Sequence, residues 1–315
     1  MNRPLVRRPA ILAAAILATV AVSQLPASAA DSGSQPNPSA GLDRIDQRDR
    51  PLDKTYTWTA AGAGVRIYLV STGVNVTHTD VGGRATQEAD LVGGTMTPSC
   101  AVVGTGVAGL AAGTKYGVAK QARVVSVRAF GCSGQPTAAQ AIAGINWVTG
   151  NAVKPAVAVL PDAIPADAAV DAAIQQSTAA GITWVVAAGN HGTDFGFDAC
   201  QVSPARVTEA ITATELDLPY GTVGHEQLVA GANRGPCVDI AAPNGITALG
   251  GGSDENPWGI RGGHVGTTAG AVAKLVGQSP TAAPATIQQQ LKDAATTGKL
   301  TDDHLGTPDR VLYSR

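Results

Sequence analysis

Short, evenly apolar runs alternate along the chain with longer Ala-rich stretches whose apolar residues fall three and four apart. Val65–Val70, Val124–Val127 and residues 182–188, "ITWVVAA", have strand length and no polar face, as strands covered on both sides do. Residues 137–150 and 166–181 carry helical spacing, the second closing on Gly181, a residue suited to the left-handed turn after a helix. Residues 267–278 and 284–298 read as two more helices, and small residues all round the first predict that it is buried. Such alternation is the pattern of βαβ units, so the predicted fold is α/β, with a mainly parallel sheet and helices on both faces. No internal repeat is present, which argues against a solenoid.

The first part of the chain breaks this pattern. Arg3, Arg7 and Arg8 precede the apolar run Ala10–Val22, which is short for a bilayer span, and small residues at Ala27 and Ala29 follow. Residues 1–30 are therefore predicted to be a signal peptide. Residues 31–41, "DSGSQPNPSAG", have linker composition, so order is expected to begin near Leu42 and a single domain to fill 42–315.

Composition narrows the function classes. A net charge of −2, 15% charged residues and 4% aromatics give no nucleic-acid footprint, and no later run approaches a membrane span. The expectation is a secreted, monomeric protein without membrane or nucleic-acid partners. Four cysteines, Cys100, Cys132, Cys200 and Cys237, are an even number on an oxidising route, so pairing is expected. Three connectivities are open; two sequential loops are the simplest, each worth about 3–4 kcal/mol in the chain-entropy picture.

Several segments, in order, resemble the subtilisin-like serine proteases, and within them the proteinase K branch, from Leu42 to Arg315. "GLDRIDQRDRPLD" (41–53) is similar to that branch's mature N-terminus, "GVRIYLVSTGV" (64–74) to the strand of the catalytic aspartate, and "GTGVAGLAAGTKYGVAK" (104–120) to the histidine helix. "ITWVVAAGN" (182–190) resembles the oxyanion strand; "SPARVTEAIT" (203–212), "CVDIAAP" (237–243) and "GTPDRVLYSR" (306–315) match later landmarks. The resemblance implies a subtilisin-like doubly wound fold. It does not fix activity, because one fold hosts many sites.

The family's triad needs a nucleophilic serine, a histidine to take its proton and a carboxylate to hold the imidazole. Its Asp-Thr-Gly falls on Ser71-Thr72-Gly73, its histidine on Val103, and its serine on Gly262. No register shift repairs the last two: no histidine lies between His78 and His191, and no serine between Asp254 and Gln278. The resemblance thus implies a pseudoprotease with a degenerate triad, acting on an unknown protein or peptide partner by binding or regulation. A residual serine endopeptidase and a repurposed enzyme built on His264, Thr267, Thr268 or Ser71 are the alternatives.

Asn190 stands at the oxyanion position, where a structural role in the turn is expected. The two edges that flank a peptide in the family carry Pro136 in one and Pro161-Asp162 in the other, which should weaken β-strand capture. The resemblance also implies the pairs Cys100–Cys132 and Cys200–Cys237, and calcium held by Asp239 with the carbonyls of Thr208 and Ala210; no organic cofactor is expected. The branch usually has a long pro-domain between signal and mature chain, and only the short linker is expected here. His191 and residues 249–253 read as loop, and Asn75-Val76-Thr77 fits a glycosylation sequon.

Overall fold

The computed structural model describes residues 31–132, 136–190, 196–218, 226–244, 262–301 and 305–315, and the backbone strands at 246–248 and 257–259. The signal segment 1–30, His191 and residues 249–253 lie outside the described residues.

The strands are β1 (Gly33–Pro36), β2 (Thr55–Trp58), β3 (Arg66–Ser71), β4 (Ala85–Asp90), β5 (Arg123–Arg128), β6 (Ala156–Leu160) and β7 (Ile164–Pro165). They continue as β8 (Thr183–Ala187), β9 (Val202–Ser203), β10 (Ile211–Asp217), β11 (Gln227–Leu228), β12 (Ile240–Pro243), β13 (Ile246–Ala248) and β14 (Pro257–Gly259). The helices are α1 (Ala40–Ile45), α2 (Val102–Ala112), α3 (Ala138–Asn151), α4 (Ala168–Ala179), α5 (Gly263–Gln278) and α6 (Pro284–Ala294).

The main sheet runs β11-β10-β8-β6-β3-β5-β4, with β12 also on β10. Every pairing in it is parallel except β10 with β11. Period-two alternation divides its side chains between two cores. Ile67, Leu69, Val157 and Val159 face the layer of α2, α5 and α6, while Tyr68, Val70, Ala158 and Leu160 face α3 and α4. Burial on both faces explains the flat polarity of these runs. Helix α5 packs on α2, β6 and β12, and nearly all of it is buried, as its small residues predict. Gly181, one residue past the C-cap of α4, takes a φ of +88°.

One expectation is corrected. Residues 31–41 are not a loose linker, for β1 pairs antiparallel with β2 and α1 starts at Ala40. Gly33 lies against the Trp58 ring so closely that a Cβ there would sit 2.6 Å from it, and the Asp31 carboxylate accepts the Ala61 N–H at 2.7 Å. The stretch is polar because its strand is an edge on the surface. Order begins before Leu42.

Candidate functional site

In an open parallel sheet, loops leaving the carboxyl ends of the strands gather where strand order reverses, and crevices form there. Here β3 lies centrally, with β4 and β5 to one side and the later strands to the other. Ser71 ends β3, Pro161-Asp162 follow β6, Gly189-Asn190 follow β8, and Glu215 lies near the end of β10. The segments that close β6, β8 and β10, with the start of α5, line a cavity of about 300 Å³, bounded by Pro161, Asp162, Asn190, Glu215, Gly262 and His264 among others.

Ser71 is buried, 1% exposed, and its Oγ accepts the Gly73 N–H at 3.2 Å. Helix α2 presses on this corner: a Cβ at Gly104 would lie 2.0 Å from the Gly73 carbonyl oxygen and 2.6 Å from Ser71 Oγ. Only glycine fits there. Val103, one residue earlier, is half-buried in the first turn of α2. Neither Ser71 nor Val103 lines the cavity. Gly262 is the N-cap of α5 in a left-handed conformation, φ +78°, and a Cβ on it would lie 3.2 Å from the Pro161 carbonyl oxygen.

His264 is the residue on which the alternative of a repurposed enzyme rests. The structure puts it inside, 6% exposed, with Nδ1 4.0 Å from Oε2 of Glu215, whose other oxygen accepts a hydrogen bond from the Asn244 amide. Neither ring nitrogen makes a hydrogen bond among the described residues. Burial pulls the imidazole from its ordinary 6.5 down to about 4; the Ala213 backbone opposes that shift without being placed for a good hydrogen bond. At neutral pH the ring is therefore uncharged, and its contact with Glu215 is not a salt bridge.

The hydroxyls named with it are turned elsewhere. Thr267 Oγ1 donates to the Gly263 carbonyl at 3.2 Å and Thr268 Oγ1 to the His264 carbonyl at 2.8 Å, each back-bonding one turn down its own helix. Asn190 is exposed and forms a bridge to Ala232 beside Gly189, whose φ is +93°. The neighbouring Asn233 donates to the Ala188 carbonyl at 2.9 Å, so the turn is held from outside the cavity. Pro136 is half-buried just ahead of Thr137, which caps α3 with Gln140. In the loop after β3, the Asn75 side-chain oxygen accepts the Thr77 hydroxyl at 2.8 Å.

Two disulfides flank this architecture. Cys100 pairs with Cys132, Cα atoms 4.7 Å apart, and Cys200 with Cys237, 5.3 Å apart, the sequential pairing implied by the resemblance. The oxygens expected to hold calcium also come together: Asp239 Oδ2 and the carbonyls of Thr208 and Ala210 share one neighbour, the side-chain amide of Gln288. That neighbour is a hydrogen-bond donor. Among the described residues no group of three or more His, Cys, Asp or Glu side chains could hold a metal ion.

Glu215, Gln288 and Lys292 are the site residues that sequence reasoning missed. Glu215 gave no signal, because it meets His264 only through the pairing of distant elements. Gln288 and Lys292 did give one: on a predicted helix they stand four apart, beside the apolar pair Ile287 and Leu291.

Comparison with known proteins gives concordant findings. Residues 62–308 match the sequence profile of the Subtilase family. The chain is 36% identical to the alkaline serine exoprotease A of Vibrio alginolyticus over 291 residues, 89% of this chain and 51% of that protein. It is 39% identical to the extracellular serine proteinase of Thermus sp. (strain Rt41A) over 278 residues, 87% of this chain and 65% of that one. A crystal structure of a cold adapted subtilisin-like serine proteinase superposes with a TM-score of 0.77 at 33% identity, covering 89% of this chain and 99% of that one. The chain spans about half to two thirds of the length of these full-length relatives. Among the described residues no helix is long and apolar enough to cross a membrane.

Proposed function

The chain belongs to the subtilase family, and from that premise we propose that it is a secreted member without peptide hydrolysis, a pseudoprotease that binds or regulates. The match to the family's motifs carries the reading, for it sets Ser71, Val103 and Gly262 at the three positions of the triad. A valine and a glycine can neither accept a proton nor attack a carbonyl at any pH, and a serine hydroxyl cannot hold an imidazolium charge. In subtilisin itself, loss of the complete triad costs about 10⁶-fold in turnover. The backbone around these positions agrees with the reading, since the left-handed Gly262 disfavours any side chain where a nucleophile would stand.

Secretion is supported by the leader composition of residues 1–30, the paired cysteines, and the extracellular name of the Thermus relative. The cavity beside Gly262, with Asp162 and Glu215 on its wall, is the place where a partner's side chain would enter. A fluorophosphonate probe, which labels an activated serine covalently, tests the reading. The chain stays unlabelled on this account, and a labelled serine at any position overturns it.

One observation favours a second reading, a repurposed enzyme: the Glu215 carboxylate stands beside the buried His264. Its missing part is a nucleophile, because both threonine hydroxyls of α5 are engaged with helix carbonyls and Ser71 lies outside the cavity.

A further inference from the structure

Helix α6 turns Ile287 and Leu291 into the core and carries Gln288 and Lys292, one turn apart, on the adjoining face. The Gln288 amide nitrogen reaches three oxygens: the Ala210 carbonyl at 2.9 Å, the Thr208 carbonyl at 3.1 Å and Asp239 Oδ2 at 3.2 Å. Asp239 Oδ2 also accepts the Thr212 N–H at 2.9 Å, and the other carboxylate oxygen meets Lys292 Nζ at 2.7 Å. Both oxygens of the carboxylate are therefore closed by donors from its own chain.

These are the oxygens that the family resemblance offers to calcium, and as they stand they do not fit it. Calcium takes six to eight oxygen ligands at about 2.3–2.6 Å. Here the common neighbour of the three oxygens is an amide N–H donor, and the orientation of that amide is dictated by its surroundings, since three acceptors face it. A divalent ion would have to expel the amide and then share one carboxylate with an ammonium. The charge is already balanced: one carboxylate, one ammonium.

We infer that Gln288 and Lys292 are an intramolecular replacement for a divalent cation. Gln288 supplies the donors that draw the two carbonyls and Asp239 together, and Lys292 supplies the charge. This corner, where β10 and β12 meet α6, holds without calcium, and the oxygens under Gln288 form a latent calcium site that opens when the two side chains are removed. The inference is independent of whether the cleft hydrolyses peptides.

Thermal unfolding in calcium chloride and in EDTA tests it. The wild-type protein melts at the same temperature in both. The double variant Gln288→Ala/Lys292→Ala melts lower than wild type in EDTA and regains about 5 °C when calcium is a hundredfold above its dissociation constant. Should the double variant prove too unstable to purify, Gln288→Ala alone, which uncovers the three oxygens, shows a smaller rise of the same sign. A calcium-dependent rise in the wild-type melting temperature that Asp239→Asn abolishes would overturn the inference. So would a folded double variant indifferent to calcium.

Discussion

At the carboxyl edge of the sheet lie Val103 and Gly262, which the proposed reading sets at the positions of the family's base and nucleophile, and beside Gly262 there is a cavity of about 300 Å³. At the β10–β12 edge, where the resemblance implies a cation, the Gln288 amide and the Lys292 ammonium meet the Asp239 carboxylate. The difference follows from what each feature does for the folded state. A proton relay contributes nothing to stability, so its groups can be dropped one by one and the fold does not object. A cation that neutralises a largely buried carboxylate cannot simply be dropped, because removing one partner of such a pair costs several kcal/mol. On the proposed reading the first site is emptied and the second refilled.

The strongest way to break this contrast is to put a charge back into the emptied site alone. Ser71→Asp would place a carboxylate in a corner only 1% exposed, beside its register partner Arg128, whose guanidinium Asp90 already neutralises, and should cost about 3 kcal/mol in urea unfolding. Adding Val103→His should return part of that loss. Equal stability of Ser71→Asp and wild type would show that Arg128 can serve Asp90 and a second carboxylate together.

Removing the charge from the refilled site should cost somewhat less. Asp239→Ala strands the Lys292 ammonium and the Thr212 N–H, while the Gln288 amide keeps the carbonyls of Thr208 and Ala210, and about 2–3 kcal/mol is expected because Lys292 keeps some contact with solvent. The penalty should be the same in calcium and in EDTA.

His264 sets a pH signature on the emptied site. Its folded pKa of about 4 lies below the ordinary 6.5, so the unfolded chain binds the proton more readily across that window. Stability from this group is full above pH 6.5 and falls on acidification to about 4, by roughly 3 kcal/mol. His264→Gln should remove that dependence, read as the difference between the two proteins' unfolding curves at each pH. The carboxyl of Asp46, raised by burial to about 6, acts in the opposite sense and is common to both proteins.

The smallest effect is the most pointed. Gly262→Ser restores the family's residue type, but in a left-handed backbone it should cost about 1–2 kcal/mol and gain no peptide hydrolysis.

Much of this was legible in the chain. The buried strands announced themselves because both faces of β3, β6 and β8 are covered, and α5 because nearly all of it is inside. The cysteine pairs followed the resemblance. Residues 31–41 were misread because the reason for their order is tertiary: a glycine under the Trp58 ring leaves no trace in local composition. The Glu215–His264 contact was invisible for the same kind of reason, since β10 and α5 meet only when the sheet is assembled. Gln288 and Lys292 were visible as a helical pair, yet nothing local says that the face they share looks onto Asp239.

The central claim meets its most direct test when the purified chain is incubated with a diverse peptide library at neutral pH and the products are read by mass spectrometry. The account predicts a library indistinguishable from the buffer control, in calcium and in EDTA alike. Cleavage at a consistent sequence motif, lost on substitution of a residue lining the cavity, would contradict it.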